Sequence, residues 1–320
     1  MPELPEVETI ARGVDTRVRG DRILHAWFGS HKEPFKNSPS IQMQGIEGRT
    51  ILGVERVGKH IVCNLGFSST PPKKRARKSK SQPASNKSSQ QQPAAETPNA
   101  QWPTAQWIVH LGMTGRLLVT TPDAPVAAHT HARLTLASGR ELRFVDPRRF
   151  GRLEFRDLAG NNGLDAAVPD ALQFLAPRFA APGAEPLSIQ PAEFAALFRG
   201  RRLAIKAGLL NQKLLSGVGN IYADESLFRA GIRPRRSAGR LTRIELERLR
   251  LALHEVLQHA IRLGGSSVSD YVDAEGVRGF FQLEHCVYQR TGQPCLTCKT
   301  PIKRITIAGR STHYCPHCQP

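Results

Sequence analysis

The sequence has 320 residues and a formal net charge of +18, from 45 lysines and arginines against 27 aspartates and glutamates. That length allows two or three domains with a sizeable core, and the 40% hydrophobic content suits a folded soluble protein. No apolar run approaches the roughly 20 residues of a membrane span, and the start MPELPEVETI lacks the basic end and apolar stretch of a secretory signal. A pI near 10.3 points to a polyanionic partner, with nucleic acid ahead of an anionic membrane because no basic amphipathic helix with exposed aromatics is present.

The charge is uneven. Residues 67–103 carry seven basic and one acidic side chain, a net of +6, and residues 190–320 carry twenty and ten, a net of +10. Everything else sums to +2.

In chain order, the first predicted element is a helix opening near Pro5, a residue suited to a first helical turn. Val7, Ile10, Ala11, Val14 and Val18 fall on one face, and Glu6 and Glu8 complement the positive end of the helix dipole. Pro2 and Glu3 precede this helix and have no such structural explanation. Short β-like segments follow at Ile61–Leu65, Trp107–Leu111, Leu117–Thr121, Arg133–Leu136 and Glu141–Val145, with a turn at Ala137-Ser138-Gly139. They predict an antiparallel sandwich or barrel. Between the first two lies residues 67–103, rich in Ser, Gln, Pro, Ala and Lys, read as a disordered insert. Its run from Lys73 to Lys80 suits a solvated linker, a nuclear localisation signal or a non-specific DNA tether.

A Pro/Ala/Gly-rich linker is predicted over residues 166–186, dividing an N-terminal domain (1–165) from a helical domain (187–284). In the second domain Gly217-Val218-Gly219-Asn220 suits either a phosphate site at a helix start or a helix–turn–helix corner. A helix begins at Thr242 with a capping box to Glu245, carries the stripe Leu246, Leu249, Leu253, Val256, Leu257 and Ala260, and stops at Gly264-Gly265.

Six cysteines are present, and four of them form Cys295-x2-Cys298-x16-Cys315-x2-Cys318. This is four-thiolate zinc spacing with no open position, so one structural Zn2+ is expected in a finger over residues 285–320. Cys63 and Cys286 stand alone, which speaks against a disulfide framework and for a reducing, cytoplasmic compartment. His313 and His317 read as bystanders, and Pro301–Tyr314 as a hairpin turning at Ala308-Gly309-Arg310-Ser311, with Arg310 at its tip. At the other end of the chain, loss of Met1 would expose Pro2 as a secondary amine. Such an amine attacking a sugar C1′ gives an iminium with no N–H to lose, an electron sink for eliminating phosphates. Glu3 is then the adjacent acid and base.

The chain resembles the formamidopyrimidine-DNA glycosylase family, bacterial base-excision enzymes for oxidised purines. The resemblance is carried by MPELPEVET, VGKHI around Lys59, HLGMTGRL around Met113, HTHARL around His129, DPRRFG around Arg148, LAIKAGLLNQKLLSGVGNIYADESLFRAGI and the finger segment AGRSTHYCPHCQ, in order over nearly the whole chain. It implies an α+β multidomain fold: an N-terminal antiparallel β-sandwich with flanking helices, a helix–two-turns–helix domain and a zinc-ribbon finger. It also implies a bifunctional glycosylase and abasic-site lyase. Pro2 would be the nucleophile, Glu3 the proton donor and acceptor, Lys59 the proton donor of β-elimination and Arg310 the residue of δ-elimination. Met113, Arg148 and Phe150 would fill the space of a base flipped from duplex DNA. His129, Arg148, Arg201, Lys206 and Asn220 would contact DNA, Lys206 close to the lesion pocket, and the stretch Ser266 to Phe281 would close over the base. The implied partner is damaged double-stranded DNA, with no membrane, and the protein is expected to be a cytoplasmic monomer at the bacterial nucleoid. Three features depart from the family pattern: the insert, a long linker near Arg178, and Arg201 or Arg202 where lysine is common. The related endonuclease VIII-like oxidised-pyrimidine glycosylase, and a non-catalytic zinc-finger DNA-binding protein, are the competing expectations.

Overall fold

The computed structural model describes residues 1–30, 34–67, 103–158, 183–267 and 272–320. The chain enters through helix α1 (Leu4–Val18), whose stripe Val7, Ile10, Ala11, Val14 and Val18 is buried as its spacing predicts. Two four-stranded antiparallel sheets receive that stripe. One has the order β2 (Thr50–Val57), β3 (His60–Gly66), β4 (Ala105–His110), β8 (Arg152–Asp157). The other runs β1 (Ile23–Phe28), β6 (Thr130–Leu136), β7 (Glu141–Val145), β5 (Arg116–Thr120). Trp107, Phe144, Ile61, Leu65, Leu134 and Leu142 fill the space between them, each contributing about 1.5–3 kcal/mol by leaving water. Helix α2 (Pro39–Ile46) starts on Pro39 with Ser38 Oγ accepting from Ile41 N (3.3 Å). The predicted sandwich is therefore present. Strands β1, β2 and β8 and helix α2 were not among the predicted elements.

β3 and β4 pair directly, from His60 opposite His110 to Leu65 opposite Ala105, and Thr104 N donates to Leu65 O (2.8 Å). The expected insert thus replaces a hairpin turn, which costs little because loop closure entropy grows slowly with length. Residues 68–102 themselves lie outside the described residues. β3 has seven residues, so the insert departs about 20 Å from the turn that bears Lys59.

Residues 159–182, most of the predicted linker, also lie outside the described residues. The linker's last residues are docked rather than free. Gly183 N and Ala184 N donate to Gln212 O and Leu214 O (both 2.9 Å), and Glu185 pairs with Arg56 (2.8 Å). The second domain comprises α3 (Pro191–Phe198), α4 (Ile205–Leu210), α5 (Asn220–Arg229) and α6 (Arg243–Arg262). The Thr242–Glu245 capping box, the buried stripe and the stop at Gly264 (φ 73°) and Gly265 (φ 82°) are all as predicted.

The finger is a hairpin of β9 (Lys303–Ile307) and β10 (Arg310–Tyr314). Its turn is Ala308-Gly309, both with positive φ (48° and 72°), and Arg310 pairs with Ile307. This corrects the predicted four-residue turn: a two-residue hairpin with both central residues left-handed matches the strand twist best. Arg310 is consequently the first residue of a strand.

Candidate active site

A cavity of about 690 Å3 opens where the start of α1, the β2–β3 turn, the start of α5 and the finger hairpin converge. Pro2, Glu3, Lys59, Met113, Asn220 and Arg310 all line it. Residues far apart in sequence, predicted separately as nucleophile, acid, amine and guanidinium, are thus brought to one space.

Glu3 is buried (5% exposed) and caps two helices at once. It is the N-cap of α1, with its own N–H donating to Glu6 Oε2 (2.7 Å). Its carboxylate accepts from Ile221 N (3.1 Å) and Tyr222 N (3.4 Å), the free amides at the start of α5. Burial raises its pKa to about 7, although Lys59 and these two amides pull the other way. A carboxyl poised there can both give and take a proton near neutrality. Lys59, in the turn between β2 and β3, has its pKa lowered by burial against the pull of Glu3 and Glu6. Burial likewise lowers the pKa of the chain's terminal amine.

The Gly217–Asn220 turn is reassigned by this geometry. Its helix N–H groups hold a carboxylate of the same chain, where the sequence left open a phosphate site or a helix–turn–helix corner. Gly219 is glycine because any Cβ there would collide with the carboxyl of Glu3. Gly217 (φ 81°) accepts at its carbonyl from Leu4 N (3.0 Å). Asn220 itself remains half-buried in the cavity wall, with Nδ2 donating to Ser311 Oγ (3.4 Å).

Glu6, explained in the sequence by the helix dipole, is 2% exposed and does much more. Its carboxylate also accepts from Tyr222 Oη (2.5 Å) and Ser266 N (2.8 Å). One helix turn along α5, Asp224 receives Lys206 Nζ (2.6 Å) and His313 N (2.9 Å). Glu225 accepts from Cys286 N, Val287 N and Tyr288 N (2.8–3.0 Å). Sequence reading missed all of these. The one signal was the pair of adjacent acids in an otherwise apolar helix.

The expected DNA contact at Lys206 is corrected here. Lys206 is fully buried, and its three ammonium protons go to Asp224, Ser311 O (2.7 Å) and Thr312 Oγ1 (2.9 Å). Nothing is left to reach a phosphate, so Lys206 ties α4 and α5 to the finger. His313 likewise stays away from the cysteines because Asp224 holds it.

Met113 (42% exposed) and Phe150 (51%) are outside the core, in two loops joined by Thr114 Oγ1 donating to Asp146 Oδ1 (2.5 Å). Gly112 (φ 63°) permits the contact, since a Cβ there would strike the Phe150 backbone. The Arg148 guanidinium lies 4.7 Å from the centre of the Phe150 ring. His110 Nδ1 accepts from Gly112 N (3.2 Å) and fixes the start of the Met113 loop. Its pKa is pushed down to about 4 by burial, so it stays neutral and able to accept. His129 is exposed, left-handed (φ 63°), and joined to Asp146 N through its carbonyl (3.0 Å). Arg201 is exposed with Nε donating to Leu197 O (2.6 Å), and neither it nor His129 lines the cavity. Tyr288 and Arg304 do line it, although the sequence did not single them out.

The four cysteine sulfurs lie within 4.8 Å of one another. Thiolates at about 2.3 Å from one tetrahedral ion stand about 3.8 Å apart, so the cluster fits zinc. Gln319 fixes it to the second domain, accepting from Cys315 N and donating to Ile232 O (both 2.9 Å). With no open position, the finger holds one structural zinc.

Among the described residues, no helix is long and apolar enough to cross a membrane. The family model of the formamidopyrimidine-DNA glycosylase N-terminal domain matches residues 1–153, that of its H2TH domain residues 182–272, and that of the zinc finger found in FPG and IleRS residues 292–320. The chain is 41% identical over its full length to formamidopyrimidine-DNA glycosylase of Solibacter usitatus, covering 99% of that protein, and 38% identical to that of Acaryochloris marina, again covering 99%. Among solved structures, a Lactococcus lactis FPG mutant in complex with Fapy-dG-containing DNA superposes with a TM-score of 0.77 at 30% identity, over 99% of each chain. The Thermus thermophilus MutM (FPG) protein gives 0.74 at 36% identity, over 99% of this chain and 98% of that one. With this site geometry and relatives matched from end to end, the chain belongs to the formamidopyrimidine-DNA glycosylase family of DNA-repair enzymes.

Proposed function

We propose that the protein excises oxidised purines, 8-oxoguanine and formamidopyrimidines, from duplex DNA and then cuts the strand by β,δ-elimination. The observation that carries this is the convergence of Pro2, Glu3, Lys59 and Arg310 on one cavity at the joint of the domains. After loss of Met1, the Pro2 nitrogen attacks C1′ of the lesion. The C1′–base bond breaks, the base leaves with a proton, and Pro2 gives up its own proton, leaving a neutral nitrogen bonded to C1′. Burial lowers the pKa of the Met1 amine at this end of the cavity, and the same surroundings would disfavour the charged form of the Pro2 amine that replaces it. Glu3 in its acid form protonates the ring oxygen, and the C1′–O4′ bond breaks as the Pro2 lone pair forms the iminium; as carboxylate Glu3 takes a proton back, a dual role that a pKa near 7 allows. The iminium then draws off the electrons of the C2′–H bond, whose proton passes to the Glu3 carboxylate, and the C3′–O bond breaks as the 3′ phosphate departs. Lys59, beside Glu3, is the proton donor of this elimination, and Arg310 assists loss of the 5′ phosphate.

Met113, Arg148 and Phe150 fill the vacated stack, which explains why two large apolar side chains are left in water. His129, Arg148, Arg201 and Asn220 hold the backbone. Every group required comes from one chain, so a monomer suffices. Lactococcus lactis relatives have been solved with Fapy-dG DNA and with abasic-site DNA, which suits both halves of the reaction. The same relative has been solved with oxidised-pyrimidine DNA, so pyrimidine excision is the second reading. Product analysis on matched duplexes separates them: 8-oxoguanine is expected to be released faster than thymine glycol, and the reverse order would establish the pyrimidine enzyme.

A further inference from the structure

The two domains exchange residues between their cores. Leu4, the first residue of α1, is buried in the core of the second domain. Ala274, which follows α6, is 2% exposed within the core of the first. The contact of Ala274 is specific. Its carbonyl accepts from Val119 N at the end of β5 (2.9 Å), and a Cβ built on Gly13 of α1 would stand 3.2 Å from the Ala274 Cβ. Glu275 beside it forms an ion pair with Arg17. Nearer the cavity, Ser266 N donates to Glu6 (2.8 Å). Glu6, Gly13 and Arg17 are spaced by seven and four residues and lie on one face of α1. That face therefore grips the segment at three points, starting from the helix end that carries Pro2 and Glu3.

The segment is shaped for the contact. Asp273 Oδ1 accepts from Glu275 N and Val277 N (both 2.9 Å), and Gly276 is left-handed (φ 84°), forming the tight turn that presents Ala274. Its return is stitched to the end of α6 through Phe281 N to Gly265 O (3.0 Å) and Gly279 N to Ser267 Oγ (2.9 Å).

We propose that Gly13 and Ala274, supported by Arg17 and Glu275, form an interdomain latch that positions the segment after α6 for base excision. They are positioning residues, since none of them lines the cavity. Ser266, at the head of that segment, lines the cavity and is held to Glu6, so the latch bears on the step in which a base occupies the cavity and is dispensable once the base is gone and Pro2 faces a bare sugar. This rests on the functional reading above.

The test uses full-length zinc-loaded protein with Gly13→Val, whose side chain displaces Ala274. The duplexes carry either 8-oxoguanine or a preformed abasic site. Single-turnover base release is expected to fall at least about tenfold, with abasic-site cleavage within about twofold of wild type. Arg17→Glu is expected to give a smaller loss in base release alone, restored by adding Glu275→Arg. Unchanged base release, or equal loss on both duplexes, overturns the latch. Hydrogen exchange at the Val119 amide reads the contact without relying on activity: it is expected to be slow in wild type and fast in Gly13→Val, and equal rates contradict the proposal. Failure of the wild type itself to release 8-oxoguanine would instead overturn the functional reading.

Discussion

Helix α5 carries two buried acidic clusters about one turn apart, and their surroundings differ. In the cluster at Asp224 the charges meet each other: Lys206 pairs with one carboxylate oxygen and donates to Ser311 O and Thr312 Oγ1, and His313 N donates to the other carboxylate oxygen. In the cluster at the helix start, Glu3 has only two backbone donors, one of them at 3.4 Å, and opens onto the cavity beside Lys59. Burial alone therefore does not mark a working group. A buried charge closed in by protein groups on every side builds the scaffold, while one with few partners beside an open space is placed to do chemistry.

Lys206→Met breaks the first cluster and is expected to have the largest effect on stability. It leaves Asp224 buried without its cation and should cost about 3–5 kcal/mol in urea unfolding. Adding Asp224→Leu should recover much of that loss, since the pair can be replaced by packing. A Lys206→Met protein as stable as wild type would remove the distinction between the clusters. Glu3→Gln acts on the second cluster and is expected to change stability less and activity more. The Glu3 carboxyl titrates near 7 when folded against 4.5 for a free group. Its contribution is thus full at low pH and is lost as pH rises through 7. The glutamine variant should be spared this loss, gaining relative to wild type on the order of 3 kcal/mol between pH 4 and 8. Base release should nearly vanish at all pH values. An unchanged pH dependence of unfolding would show that Glu3 is not held in an unfavourable place.

Local patterns made much of this legible. The α1 and α6 stripes, the Thr242 cap and the four-cysteine spacing each lie within a few turns of chain, where periodicity and ligand geometry decide the outcome. β1 was hidden because its burial alternates irregularly, with both Leu24 and His25 facing water. The largest revision concerned Gly217–Asn220. Glycines at a helix start do signal an incoming anion, but nothing local says whether it is a phosphate or, as here, the carboxylate of Glu3 more than 200 residues away. Lys206 failed for the same reason: a lysine in a basic region reads as a DNA contact until Asp224 and the finger close around it. Met113 and Phe150 show the converse. Their residue types suit a core, and only their exposure separates a wedge from packing.

The central claim is that the Pro2 amine forms a covalent bond with the sugar of the lesion. Borohydride reduction during reaction with 8-oxoguanine duplex tests it most directly. The mature protein should be trapped as a one-to-one protein–DNA adduct, with the linkage mapped to Pro2 by mass spectrometry, and Pro2→Gly or retention of Met1 should abolish that linkage. Absence of an adduct with the mature wild-type protein, or an adduct mapped to Lys59, would contradict the account.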